Sequence, residues 1–178
     1  MNAPSSALVR IENAIRNVPD FPKPGIQFKD ITPVLADAKL FRESIDALTA
    51  NFAPGSIDAV VGIDARGFIF AAAAALKLGA GLVPVRKKGK LPYRTIEQSF
   101  ELEYGSNTVA IHVDAVKPGA RVLLIDDLLA TGGTAAAAVG LLQKLGAEIR
   151  EISFLIELGF LGGREKLKGH PVRSLVVY

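Results

Sequence analysis

Cysteine is absent from the 178 residues, which excludes a disulfide framework, a thiolate nucleophile and a cysteine-based zinc site. Histidine is scarce. His112 and His170 are the only two, and neither has a metal-ligand partner at a useful spacing. No apolar run reaches the roughly 20 residues needed to span a bilayer. The most apolar stretch, Gly67 to Leu76, is cut by Lys77 and reads as a buried helix. No basic segment followed by an apolar core opens the chain, so a cytoplasmic protein without a membrane partner is expected. The excess of one charge is only mild: 21 basic residues stand against 18 acidic ones, a formal net charge of +3. The basic residues cluster only partly, at Arg86-Lys87-Lys88-Gly89-Lys90 and from Arg164 to Lys168, which argues against a nucleic-acid partner. The Walker pattern Gly-x-x-x-x-Gly-Lys-Ser/Thr is missing, and Gly-x-Gly-x-x-Gly follows no predicted strand, which disfavours a P-loop and a dinucleotide site.

What is present reads as one α/β domain over 1–178, since about half the residues are apolar and the length suits a single packed core. Aliphatic runs at 59–63, 81–85, 121–125 and 152–156 predict strands, and helical patterns lie between them at 68–78 and 134–145. That alternation predicts a mostly parallel twisted sheet flanked by helices, with ligands at the C-terminal strand ends. Polar clusters follow three of the strands: Asp64-Ala65-Arg66-Gly67, Arg86-Lys87-Lys88 and Asp126-Asp127. The segment 88–105 mixes glycine, proline and charge, and reads as an excursion from this layer. Alternation in 99–104 and 108–113 predicts a hairpin, so that about 88–113 forms a flexible lid. The proline-rich stretch 19–30 reads as a rigid loop in an N-terminal hood of about 1–35.

Asp126-Asp127 stands directly before Leu128-Leu129-Ala130-Thr131-Gly132-Gly133-Thr134. A glycine turn opening a helix offers clustered N–H groups and the positive end of a helix dipole, which favour phosphate. Adjacent carboxylates repel phosphate, so both fit one site only if the ligand carries phosphate at one end and hydroxyls, or a cation, nearby. A sugar phosphate meets that description.

This run resembles the phosphoribosyl diphosphate signature of the type I phosphoribosyltransferases. Phe21-Pro22-x-Pro24-Gly25-Ile26-x-Phe28-x-Asp30-Ile31, Asp64-x-Arg66-Gly67-Phe68, Arg86-Lys87-x-Gly89-Lys90-Leu91-Pro92 and Leu102-Glu103-Tyr104-Gly105 resemble the adenine phosphoribosyltransferase family in particular. Arg164-Glu165-Lys166-Leu167 agrees, so the resemblance runs from about Val18 to Leu167. It implies transfer of a phosphoribosyl group from 5-phosphoribosyl 1-diphosphate to adenine, giving AMP and diphosphate, with Mg²⁺ held through the diphosphate and water rather than by side chains. By the same resemblance Asp126 and Asp127 would hold the ribose hydroxyls, and Ala130, Thr131, Gly132, Gly133 and Thr134 the 5′-phosphate. Asp64, Ala65, Arg66, Arg86, Lys87 and Lys90 would take the diphosphate. Glu103 is the acid–base candidate, Arg66 a second catalytic one, and Tyr104 a lid residue. Ile26, Gln27, Phe28, Lys29 and Leu158 would receive adenine. In the family the counterpart of Arg86 reaches the neighbouring subunit, which implies a homodimer. Two alternatives stand beside this reading: the same chemistry on hypoxanthine, guanine or xanthine, and a non-catalytic sensor of the phosphoribosyl donor.

Overall fold

A computed structural model describes residues 6–101 and 106–178. The chain divides into two compact units, Met1–Ala47 and Leu48–Tyr178. Glu103 and Tyr104, expected on the lid, lie outside the described residues.

In the first unit α1 (Ser6–Ala14) is followed by β1 (Arg16–Pro19), β2 (Gln27–Asp30), α2 (Thr32–Ala36) and α3 (Ala38–Leu48). The stretch expected as a rigid loop is therefore a hairpin, with Arg16 opposite Asp30 and Val18 opposite Phe28 in an antiparallel ladder. Its prolines fall in the turn and at the last position of β1, where they cost few ladder bonds, so proline content concealed the strands. The turn is closed by Asp20, which adopts a left-handed φ of 57° and accepts the Gly25 N–H at 2.7 Å. Asp37 caps α3 by accepting the N–H groups of Lys39 and Leu40 at 2.8 and 2.9 Å. Arg10 of α1 reaches Glu43 of α3 at 2.7 Å.

The second unit is built on a seven-stranded sheet. Its parallel part comprises β3 (Ala59–Ile63), β4 (Gly81–Lys87), β7 (Arg121–Leu129), β8 (Glu148–Glu157) and β9 (Val172–Val177). The antiparallel hairpin of β5 (Thr95–Glu101) and β6 (Ser106–His112) extends it, in the order β5-β6-β4-β3-β7-β8-β9. Within the segment read as an excursion, 88–94 is a loop but 95–101 joins the layer as β5: Arg86 and Lys87 of β4 pair with Ala110 and Val109, which draws the hairpin into the sheet.

The two faces are covered by α4 (Gly67–Leu78) and α5 (Gly133–Lys144). Ala59, Val61 and Ile63 join a buried cluster with Ala135, Ala138, Leu141 and Leu142 of α5. Gly62 points the other way, and a Cβ there would fall 2.7 Å from the Ala71 Cβ of α4. This alternation is the period-2 pattern of a strand buried on both sides. Among the described residues no helix is long and apolar enough to cross a membrane.

Several elements outrun their sequence limits. β7 continues through Asp126 and Asp127 to Leu129 because β8 continues beside it, pairing Asp126 with Phe154 and Leu129 with Glu157. Ladder partners override the poor strand propensity of aspartate. β4 likewise carries Arg86 and Lys87 inside the strand, and α5 begins at Gly133. β9 at the sheet edge, α1 and α3 had no place in the sequence-based outline.

The N-terminal ends of β3 and β7 are locked by Asp58 and Arg121. Asp58 Oδ2 accepts the Arg121 N–H at 2.7 Å and Nε–H at 3.0 Å, and Oδ1 accepts from Nη2 at 2.7 Å. These bonds hold the Asp58 carboxyl near pKa 2, below its usual 3.8. A folded-state pKa below the unfolded one contributes stability that is complete above the unfolded value and lost as pH falls toward the folded one. Asp58→Asn should therefore flatten the loss of stability between about pH 4 and pH 2. Denaturant melts across that window test this; parallel curves for variant and parent would contradict it.

Candidate active site

Five parallel strands end at one side of the second unit, and the acid pair sits at the end of the central one. Asp127 is buried at 6% exposure and Asp126 is half-buried. The Asp127 N–H donates to Asp126 Oδ1 at 2.9 Å. Loss of water pushes the Asp126 carboxyl well above the ordinary carboxylate range, and the Asp127 charge pushes it further. The Asp127 N–H and the Arg66 guanidinium act in the opposite direction. A raised Asp126 lessens the negative charge the pair presents to an anion close by.

After β7 the chain turns through Ala130, Thr131 and Gly132 into α5. Gly132 adopts φ 77°, and its carbonyl accepts the Ala136 N–H at 2.9 Å. Asp126, Leu128, Ala130, Thr131, Gly133 and Thr134 line a cavity of about 80 Å³ at this helix N-terminus. Asp126 and the glycine turn thus border one small concavity, while Asp127 is not among its lining residues. A 12-residue helix directs its free N–H groups and positive dipole end toward it.

The loop after β3 meets the acids from α4. The Asp64–Ala65 peptide is cis. At Gly67 a Cβ would stand 2.6 Å from Asp126 Oδ1 and 3.1 Å from the Ile125 carbonyl, so only glycine lets α4 begin against the acid. Arg66 Nε donates to Asp127 Oδ2 at 2.5 Å. Arg86 Nε donates to Asp64 Oδ2 at 3.1 Å, and its Nη1 donates to the Lys90 carbonyl at 2.9 Å. Two arginines assigned to diphosphate by the sequence are thus held by carboxylates of their own chain. Lys87 and Lys90 are exposed. Lys87, Asp64 and Thr134 border a second cavity of about 90 Å³ with Phe100, Asn107, Thr108 and Val109.

Leu158 follows β8, and its N–H donates to the Leu129 carbonyl at 2.9 Å, beside the start of the glycine turn. Ile26, Gln27, Phe28 and Lys29 belong to the first unit. There the Gln27 Oε1 accepts from Asn17 Nδ2 across the hairpin at 2.9 Å, and Phe28 meets Phe21 edge to face at 5.1 Å. The Gln27 side chain is therefore committed to its own hairpin. His112 and His170 join no metal-type cluster among the described residues.

Sequence reasoning missed Phe100, Asn107, Glu157 and Gly163. Phe100 lies under the turn, where its ring would be 2.9 Å from a Cβ on Gly133. Nothing in a lone phenylalanine or glycine marks such a contact, because its partners are remote in sequence.

The chain resembles known proteins over nearly its whole length. The model of the phosphoribosyl transferase domain matches residues 29–173. A protein of Acidothermus cellulolyticus named adenine phosphoribosyltransferase is 59% identical over 91% of this chain and 92% of its own. The crystal structure of the adenine phosphoribosyltransferase from Rhodothermus marinus superposes with a TM-score of 0.93 at 51% identity, covering 98% of this chain and 99% of that one. The Saccharomyces cerevisiae enzyme superposes at 0.91 with 42% identity, covering 96% and 99%. That structure holds an imino-altritol 1,6-bisphosphate and adenine. With an α/β sheet of the same architecture and a glycine turn behind paired acids, the chain belongs to the adenine phosphoribosyltransferases of the type I phosphoribosyltransferase family.

Proposed function

We propose that this chain makes AMP and diphosphate from adenine and 5-phosphoribosyl 1-diphosphate, as a purine-salvage enzyme of the cytoplasm. The observation that carries the reading is the small cavity at the N-terminus of α5, which Asp126 of the acid pair lines together with the glycine turn. The 5′-phosphate takes the main-chain N–H groups of 130–134 and the hydroxyls of Thr131 and Thr134. The ribose 2′- and 3′-hydroxyls donate to the two acids, whose remaining negative charge lies where the departing diphosphate leaves oxocarbenium-like positive charge on the ring.

The diphosphate is assigned to Asp64, Ala65, Arg66, Arg86, Lys87 and Lys90. Arg66 and Arg86 are already half-neutralised by Asp127 and Asp64. An incoming diphosphate competes for these guanidiniums, and the ribose hydroxyls replace Arg66 as hydrogen-bond partners of Asp127. The exchange keeps both groups hydrogen-bonded before and after binding, so that neither is left buried without a partner.

Mg²⁺ fits this donor set as a companion of the diphosphate. No three carboxylate or imidazole groups converge among the described residues, and the acid pair is answered by Arg66. Held through the diphosphate and water, the ion would supply charge neutralisation for the leaving group. Glu103 is proposed to exchange a proton with the purine ring and Tyr104 to cover the site. Base contact is proposed for Ile26, Phe28, Leu158 and the main chain at Gln27 and Lys29.

A homodimer is part of the same reading. Ile69 and Leu76, two turns apart on α4, are exposed at 41% and 86%, an apolar face that a second copy would cover.

A nucleobase panel with the diphosphate donor and Mg²⁺ tests the function: AMP formation from adenine, with 6-oxo purines slower by at least about 10²-fold, is expected. Preference for hypoxanthine, guanine or xanthine, or no turnover with any base, would overturn it. Replacing both acids, Asp126→Asn with Asp127→Asn, should abolish turnover while the far-ultraviolet circular dichroism stays that of the parent. Near-parental rates in that double variant would remove the ribose assignment.

A further inference from the structure

The glycine turn has a back wall that none of the residues assigned so far accounts for. Between β8 and β9 the chain makes two 3-10 turns, Gly159–Leu161 and Gly163–Leu167. Gly163 at the head of the second lies directly behind the turn after β7. A Cβ on Gly163 would overlap the Ala130 carbonyl oxygen and stand 2.9 Å from the Gly132 N; a Cβ on Gly132 would overlap the Gly163 carbonyl. Two main chains are therefore in contact with no side-chain atoms between them. Where Gly163 goes, Ala130 to Gly132 must follow.

The position of Gly163 is fixed by its neighbour. Arg164 Nε and Nη2 donate to Glu157 Oε1 and Oε2 at 3.1 and 2.5 Å, a two-point pairing. Its Nη1 donates to the Val172 carbonyl at 2.7 Å and its Nη2 to Ser174 Oγ at 3.3 Å, while Ser174 Oγ donates to Glu157 Oε2 at 2.6 Å. Glu157 is buried at 6% exposure and lies opposite Leu129, one residue before the turn begins. The bonds from Arg164 hold its carboxyl below the usual glutamate range. At the other end of the 3-10 turn Leu167 is buried in the cluster that α5 covers. The turn is thus pinned at both ends, to the sheet by Arg164 and to the core by Leu167.

We infer that Arg164 and Glu157 are positioning residues for the 5′-phosphate cradle, holding the Gly163 main chain as the wall that sets the N–H groups of Ala130 to Gly132. The inference rests on the proposed reading of that turn as the phosphate site. Main-chain donors discriminate only while they stay within about half an ångström of their working geometry, and a turn rich in glycine has little stiffness of its own. Stiffness is supplied from behind, by a charge pair that touches no ligand.

The prediction is a split between the two substrates. Arg164→Met should raise the KM for the phosphoribosyl donor roughly tenfold or more while leaving the KM for adenine within about twofold. Arg164→Lys keeps the charge without the two-point geometry, and should fall between parent and Arg164→Met. Gly163→Ala leaves Arg164 and Glu157 in place but inserts a methyl group between the two main chains, so it should produce the same split. It decides the matter should Arg164→Met fail to fold. A separate titration with ribose 5-phosphate, with Thr134→Val as the control, tests the underlying reading. If Thr134→Val binds ribose 5-phosphate as the parent does, the phosphate assignment of the turn is wrong. If Thr134→Val weakens binding but Arg164→Met and Gly163→Ala do not, or if they raise both KM values alike, the positioning role is overturned.

Discussion

Two adjacent carboxylates at the end of a buried parallel strand are the constraint from which the architecture of the site follows. A carboxylate removed from water without compensation is costly, and a second beside it adds repulsion. The structure answers each one differently. Asp127 receives the Arg66 guanidinium at 2.5 Å, and Asp126 receives the Asp127 N–H at 2.9 Å and shifts toward its protonated form. Gly67 is required because any side chain there would strike Asp126. The acids stay in the strand because β8 keeps pairing with β7 beyond them.

Such an arrangement is stable but primed for exchange. Hydroxyl groups supplied by a ribose can donate to Asp126 and Asp127 in the place Arg66 leaves at Asp127, and a diphosphate takes up the released arginine. The substrate thereby inserts into an existing ion pair and leaves neither group without a hydrogen-bond partner. Arg86 with Asp64 repeats the device on the adjacent strand. The main-chain cradle gains its shape from Gly163 behind it, with Phe100 close to Gly133 on another side.

How much of this was legible depended on whether the cause was local. The parallel layer could be read because β3, β7 and β8 each contain an apolar run, at 59–63, 122–125 and 154–156, and the acid–glycine run because its members are contiguous from Asp126 to Thr134. The hairpin β1–β2 was hidden by prolines that lie in its turn and at a strand end. The continuation of β7 through two aspartates was hidden because propensity argues against it, and only the ladder with β8 explains it. Joining β5 and β6 to the sheet depends on two pairings with Arg86 and Lys87, residues that read as a basic loop. The Glu157–Arg164 pair, seven residues apart across two 3-10 turns, left no periodic trace. Gly163 is similarly silent, since its role is defined by a main chain some thirty positions earlier.

Exchange of the Arg66–Asp127 pair on substrate binding is the central claim, and a crystal structure with ribose 5-phosphate and diphosphate bound together addresses it directly. The account requires the 5′-phosphate at the N–H groups of 130–134, the ribose hydroxyls on Asp126 and Asp127, and Arg66 turned from Asp127 to the diphosphate. A structure with both ligands bound, Arg66 still at 2.5 Å from Asp127 and the phosphate outside the cavity at α5, would contradict it.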